Sequence, residues 1–357
     1  MKILVDINHP AHVHYFKNFI WGMQKKGHDV LITASEKDVA HALLDHYCFD
    51  YIPMGNYGNS LVEKLINIPI MDLRLFKKTR LFNPDIFIGF GSIRGAHTAK
   101  LMKKPCINLD DTEHSVQEHL LYIPFTDVVL TPNCFKRDLG KKQIRYNGYT
   151  ELSYLHQNYF TPNSEVLDEI GLRKDDPFII LRLVAWTASH DVGQNGIKNK
   201  VELVRELERY GHVLITSEGK LEKDLEKYKA RISPEKMHDL LYYASLYIGE
   251  GATMATEAAL LGTPSIYISS LTGTMGNFNE LEENYGLLYC YHDTKDALLK
   301  AIELIREPDI KVELQKKRKI LLEEKIDVTA FMIWLVENYP ESCKAIREDP
   351  SYQDKFK

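Results

Sequence analysis

The sequence predicts an α/β protein of two doubly wound domains facing a cleft. Strand-type and helix-type hydrophobic runs alternate along almost the whole chain, which points to parallel sheets covered on both faces. At 357 residues the chain is longer than one compact core supports. Near residue 250, an apolar strand, a glycine turn, a short Ala/Leu-rich helix and a Gly-Thr-Pro stop follow one another without a break.

Residues 2–7 read as a strand and 11–26 as a helix, with Val13, Phe16, Phe19, Ile20 and Met23 at helical spacing and Gly27 as the stop. A strand at 28–34, a helix at 36–47 and a short strand at 51–53 follow. Then come strand 85–89, helix 94–102, strands 105–109 and 127–131, and an exit at 145–148. The first domain is therefore set at 1–150, and the polar, aromatic stretch 148–163 suits a linker. The second domain, 151–327, contains strand 178–183, helix 200–210, strand 212–216, helix 233–243 and strand 245–248. The glycine-turn unit, strand 265–268 and helices 293–306 and 312–324 complete it. A helix within 328–340 is expected to pack back on the first domain, and the charged tail 341–357 to be loosely held.

A composition of 44% hydrophobic and 27% charged residues suits a soluble globular protein. The net charge of −5 gives no footprint for nucleic acid, so no nucleic-acid partner is expected. Five scattered cysteines without a Cys-x-x-Cys pair argue for a reducing compartment and against structural zinc. The opening strand carries no signal-peptide pattern and no run reaches the ~20 apolar residues of a span, so the expected location is cytoplasmic. Residues 57–80 mix leucines and isoleucines with Lys64, Arg74, Lys77, Lys78 and Arg80. They are read as a core helix pair with a solvated basic face or as a peripheral contact at the inner face of a membrane.

Candidate chemistry sits in loops after strands. In Gly251-Ala252-Thr253, small residues open a helix whose free N–H groups and positive dipole end can receive a diphosphate. Glu257, one turn in, can accept from ribose hydroxyls. The alternative is an ordinary strand–turn–helix unit packed through its alanines. Arg182, in an apolar strand, and His190 downstream are candidates for diphosphate or sugar contact, and Thr274 and Asn277 for sugar hydroxyls. In the first domain, Asp110-Asp111-Thr112-Glu113 ends a strand, and a carboxylate there can act as base; helix capping is the alternative. His9, His12 and His14 invite a metal reading, but no carboxylate joins them at ligand spacing, so no metal is expected. Arg94, in a glycine-rich turn, is a candidate phosphate contact.

Residues 251–264 resemble the diphosphate-and-ribose motif of the GT-B superfamily of nucleotide-sugar enzymes. The likeness is to the peptidoglycan N-acetylglucosaminyltransferase and to the non-hydrolysing UDP-N-acetylglucosamine 2-epimerases, and within the superfamily to an uncharacterised prokaryotic group. The resemblance implies two Rossmann-like domains. It also implies diphosphate at Ala252 and Thr253, ribose at Glu257, and His12-Val13 in the place of the transferase's His-Val pair, with His12 as base. Glu250 departs from the small or neutral residues expected beside a diphosphate, and Ser92 stands where the epimerases carry Asp.

The expected function is therefore a metal-independent glycosyltransferase in surface polysaccharide or glycoconjugate synthesis. It would use no cofactor and would move a sugar from a nucleoside-diphosphate donor, expected to be UDP-linked, to a glycan or lipid-linked acceptor. The catalytic candidates are His12, Asp111 and Glu113. The donor candidates are Arg182, His190, Gly251, Ala252, Thr253, Glu257, Thr274 and Asn277. The alternatives are an epimerase and a non-enzymatic nucleotide-sugar-binding subunit.

Overall fold

Strand β1 (Lys2–Ile7) is buried from Ile3 to Ile7 and lies inside a seven-stranded parallel sheet. The computed structural model describes residues 1–58, 61–184 and 196–357. Helix α1 (Pro10–Lys25) begins on a proline, whose missing N–H costs nothing in a first turn. After it come β2 (Asp29–Ser35), α2 (Ala40–His46), β3 (Tyr51–Gly55), α3 (Leu61–Thr79), β4 (Ile86–Phe90) and α4 (Ile93–Met102). Then follow β5 (Cys106–Leu109), α5 (Val116–Tyr122), β6 (Val128–Pro132), β7 (Gln143–Tyr146) and α6 (Leu152–Leu155).

The strand order is β3-β2-β1-β4-β5-β6-β7, with β1 directly against β4. The chain winds outward from this pair in both directions, so right-handed crossovers put α1 and α4 on opposite faces. One layer of the core joins Leu4 and Phe87 of the sheet to Leu75, Ala96, Ala99 and Tyr122 of α3, α4 and α5. Residues 57–80 thus contain one long helix, α3, rather than the expected pair.

A second parallel sheet follows α7 (Glu165–Glu169). Its elements are β8 (Phe178–Leu183), α8 (Lys200–Leu207), β9 (His212–Ser217), α9 (Met237–Tyr243), β10 (Leu246–Gly249), α10 (Ala252–Leu260) and β11 (Ser265–Ile268). Next are α11 (Gly276–Asn279), β12 (Leu288–Tyr291), α12 (Thr294–Arg306) and α13 (Ile310–Glu324). The five strands run β12-β11-β10-β8-β9, and the direction of winding reverses between β8 and β10.

The chain then returns with α14 (Val328–Glu337) and α15 (Glu341–Glu348). The compact units are 1–159 with 325–357, and 160–324. Helix α14 packs on α1, where a Cβ on Gly22 would clash with Ile333 Cδ1. Thr329 Oγ1 and Asn18 Nδ2 both donate to the Ser153 carbonyl, at 2.7 and 2.9 Å, tying α14 and α1 to α6.

Two expectations change here. The stretch 148–159 is not a linker: Tyr149, Tyr154 and Leu155 are buried in the first unit, because their rings and side chains fill the space under α1 and α14. The tail is not loose either. Cys343 and Ile346, one turn apart, bury the inner face of α15. Gln353 Oε1 accepts the Asn147 N–H at 2.7 Å, and the Phe356 carbonyl accepts the Asp327 N–H at 2.7 Å.

Candidate functional site

At the winding reversal of the five-stranded sheet, Gly249 pairs in register with Arg182. A Cβ on Gly249 would meet Arg182 Cβ at 2.7 Å, and one on Gly251 would meet its Cγ at 2.8 Å. The two glycines therefore let the Arg182 side chain cross the turn to the start of α10. Its guanidinium donates to Glu218 Oε1 at 2.8 Å, just beyond β9. Helix α10 starts on Gly251 without a side-chain cap, so its first-turn N–H groups have no helical acceptor. Residues 251–254 reach the surface and 255–260 are buried, which leaves only that first turn accessible. Reversal points of this kind are where α/β sheets bind ligands.

Glu250 faces away from this turn. Its Oε2 accepts the Val184 N–H at 2.9 Å and its Oε1 the Ile197 N–H at 2.7 Å. The carboxylate that looked unfavourable beside a diphosphate thus joins the start and the end of the β8–α8 connection. Glu257 is 4% exposed and receives Nε2 of His238, on α9, at 2.9 Å. Thr274 and Asn277 lie on the connection after β11, the strand next to β10. Thr274 Oγ1 donates to the Leu271 carbonyl at 2.6 Å, and Asn277 Oδ1 accepts the Phe278 N–H at 2.9 Å. Arg182, Gly251, Ala252 and Thr253 come together here; His190 lies outside the described residues.

In the first unit the loops after β1, β4 and β5 lie side by side at one sheet edge. Asp6 and Arg94 are both fully buried and meet at 2.7 Å. Asp6 also receives Ser92 Oγ at 2.5 Å and Thr33 Oγ1 at 2.6 Å, while Arg94 donates to Ser35 Oγ at 2.9 Å. Arg94 is therefore no phosphate ligand; its charge is neutralised inside the sheet edge, where the extra hydrogen bonds make a buried pair tolerable.

The three histidines diverge. His9 Nδ1 accepts the Ala11 N–H at 3.2 Å and caps α1; His14 lies 5.4 Å from the Tyr154 ring centre. His12 packs 4.9 Å from the Phe90 ring, and its Nδ1 accepts the Asn8 N–H at 3.3 Å. Burial, then Lys37 and Arg94, push its pKa down to about 3. A neutral ring with Nδ1 engaged carries its proton on Nε2, so His12 offers a donor rather than a base. Among the described residues no three metal-type ligands converge.

The carboxylates after β5 divide by partner. Asp110 accepts the Thr112 N–H at 2.8 Å, His119 Nε2 at 3.0 Å and the Tyr122 hydroxyl. Arg137 Nη1 donates to His119 Nδ1 at 3.0 Å, which fixes the tautomer that donates to Asp110. Glu113 Oε1 accepts the Lys136 N–H at 3.2 Å and is buried against the loop after β6. Asp111 is half-buried where Asp110 and Glu113 are buried. Burial and then the neighbouring Asp110 charge raise its pKa to about 7, against hydrogen bonds from Thr150 and Thr112. A carboxylate in that range is matched to proton transfer near neutrality.

Residues 1–341 match the family described as "Protein of unknown function (DUF354)". The chain belongs to this family. An uncharacterized protein of Methanocaldococcus jannaschii is 25% identical to this DUF354 protein over 279 residues, 74% of this chain and 81% of the other. Several solved structures share its fold. The Staphylococcus aureus MnaA–UDP co-structure aligns at a TM-score of 0.65 and 11% identity, covering 96% of this chain and 97% of that one. The UDP-GlcNAc 2-epimerase of Methanocaldococcus jannaschii aligns at 0.61 and 14% identity, covering 90% and 99%. The spinosyn rhamnosyltransferase SpnG, complexed with spinosyn aglycone, aligns at 0.61 and 13% identity, covering 95% and 100%. The DUF354 protein thus has the GT-B type of α/β fold.

Sequence reasoning passed over His238, His119 and Arg137 in this DUF354 protein. Each acts on its partner from another element, 19 residues away for His238–Glu257 and 18 for Arg137–His119. No local spacing announces such pairs.

Proposed function

We propose that this DUF354 protein is a metal-independent glycosyltransferase using a nucleoside-diphosphate sugar, with UDP as the nucleotide. The reading rests on one observation: the open first turn of α10, with Arg182 laid across Gly251, at the winding reversal of the second sheet. The acceptor hydroxyl oxygen forms the new bond to the anomeric carbon as the bond from that carbon to the diphosphate oxygen breaks. The diphosphate leaves with the electron pair, and the N–H groups of Ala252 and Thr253 with Arg182 stabilise its charge. Asp111 takes the acceptor proton, and His12 donates a hydrogen bond through Nε2. Glu257, held by His238, is assigned to the ribose, and Thr274, Asn277 and His190 to the sugar. The acceptor is a glycan or a lipid-linked saccharide of surface polysaccharide or glycoconjugate synthesis. The solution of MnaA with UDP and of SpnG with an aglycone on the same fold supports the choice of nucleotide and of transfer.

Asp111 favours a second reading as well. A carboxylate with a pKa of about 7 can also remove a carbon-bound proton from a sugar ring, and a UDP-GlcNAc 2-epimerase shares the fold. Incubation with UDP-sugars, with and without saccharide acceptors, separates the two. Transfer predicts UDP release and glycoside formation that need an acceptor. Isomerised UDP-sugar formed without acceptor contradicts transfer and supports the epimerase. Nucleotide binding without turnover on any acceptor contradicts both and leaves a binding subunit.

A further inference from the structure

Helix α3 is apolar on two sides. Met71 and Leu75 face the core, buried to 3% and 0% exposure. On the opposite side Leu65, Ile66, Ile70 and Leu73 are 57%, 64%, 52% and 51% exposed. At helical spacing these four and Pro69 form one continuous stripe, and Lys77 and Arg80 extend the same line. Leu81, in the turn that follows, is 87% exposed. A surface helix normally keeps its outer face polar, so a stripe of this length marks a binding surface.

The neighbouring helices widen it. His97 on α4 contacts Asp72 of α3 at 2.7 Å through Nδ1 and the Leu121 carbonyl of α5 at 2.9 Å through Nε2. Helix α5 in turn exposes Val116 and Leu120, at 44% and 71%. The Asp72 carboxylate is paired with His97, whose pKa it raises, so it does little to offset the exposed cations. The exposed charge at the end of the stripe is Lys77, Lys78 and Arg80, all positive, on a chain whose net charge is −5.

We propose that this face of the first unit docks on an anionic lipid surface, with the α3 stripe entering the headgroup boundary and Lys77, Lys78 and Arg80 contacting lipid phosphates. Apolar area and a local cluster of cations together are what an interfacial helix requires, and an anionic surface complements the cluster as a neutral protein groove does not. The inference is independent of the chemistry proposed above, since none of these residues belongs to the candidate site.

The test is co-sedimentation of the full-length protein with phosphatidylglycerol and with phosphatidylcholine vesicles, at low and high salt. The expected result is binding to phosphatidylglycerol that weakens with salt, and much weaker binding to phosphatidylcholine. Each basic residue near such a surface is worth about fivefold in partitioning, so Lys77→Glu/Lys78→Glu/Arg80→Glu loses at least about a hundredfold. Ile66→Ser/Ile70→Ser/Leu73→Ser loses binding as well, and both variants keep the wild-type far-UV spectrum. Unchanged binding in both variants, or no binding to phosphatidylglycerol at low salt, overturns the proposal. So does a concentration-dependent dimer that the serine variant abolishes while vesicles leave wild type in solution, which would make the face a contact between two copies.

Discussion

The ends of the two sheets handle charge differently. At the seven-stranded sheet, Asp6, Arg94 and Asp110 are buried and spent on internal partners, and Asp111, after β5, is half-buried. At the five-stranded sheet, the buried carboxylate Glu250 is turned away to hold backbone, and among the described residues the start of α10 presents N–H donors and Arg182, which is paired with Glu218. Among the described residues, one end offers a carboxylate with a raised pKa; the other offers helix-start N–H donors and a guanidinium paired with Glu218. Abstracting a proton calls for the first and stabilising a departing diphosphate for the second, and the proposed reaction assigns the two roles to separate sheets.

Removing the acceptor gives the largest expected effect. Asp111→Asn lowers turnover by about a hundredfold or more, as loss of a general base does, while nucleotide binding at the other sheet is unchanged. The wild-type rate falls below about pH 7 as Asp111 takes up its proton. The sign for stability is opposite. The folded pKa is raised, so folding favours the acid form, and stability is lost as pH rises from the ordinary carboxylate range through about 7. Asp111→Asn escapes that loss and melts above wild type in alkaline buffer. A variant that loses activity yet melts higher there is the result to look for in paired kinetic and melting profiles.

Glu250→Gln probes the other end. Its amide nitrogen meets one of the two backbone N–H donors that the carboxylate accepts. A buried donor left without an acceptor costs about 1–3 kcal/mol, so melting falls by several degrees, and the loss is the same in buffer and in saturating nucleotide. His12→Asn sits at the small end of the range. Turnover drops severalfold, because one neutral hydrogen bond is worth about 1 kcal/mol. The pH profile keeps its shape, since a ring with a pKa of about 3 does not titrate near neutrality. An alkaline or acid limb that disappears in His12→Asn would return the base role to this histidine.

How far the sequence reveals this contrast depends on the range of each interaction. Gly249, Gly251, Gly262 and Pro264 punctuate the unit around α10, and that unit folds locally, so the helix start was readable. Glu250 stood out as an anomaly. Its resolution lies in Val184 and Ile197, 66 and 53 residues away, where no spacing rule reaches. Arg94 read as a phosphate contact because its partner, Asp6, is 88 residues earlier. The cluster from Asp110 to Glu113 was legible as a cluster. Which member stays available is decided by His119, Tyr122, Arg137 and Lys136, from α5 and the loop after β6. The tail was misread because Cys343 and Ile346 are few among charges, and only the surface left by α14 and β7 makes them buried.

The most direct test of the central claim is thermal melting of wild type and Arg182→Ala against UDP, GDP, CDP and dTDP. The account predicts a rise with UDP, in proportion to the logarithm of its concentration. Arg182→Ala, which keeps the fold but loses a charged contact to the diphosphate, needs about tenfold more nucleotide for the same rise. Identical UDP-dependent shifts in the two proteins, or no shift with any nucleotide, would contradict a nucleotide-sugar site at the start of α10.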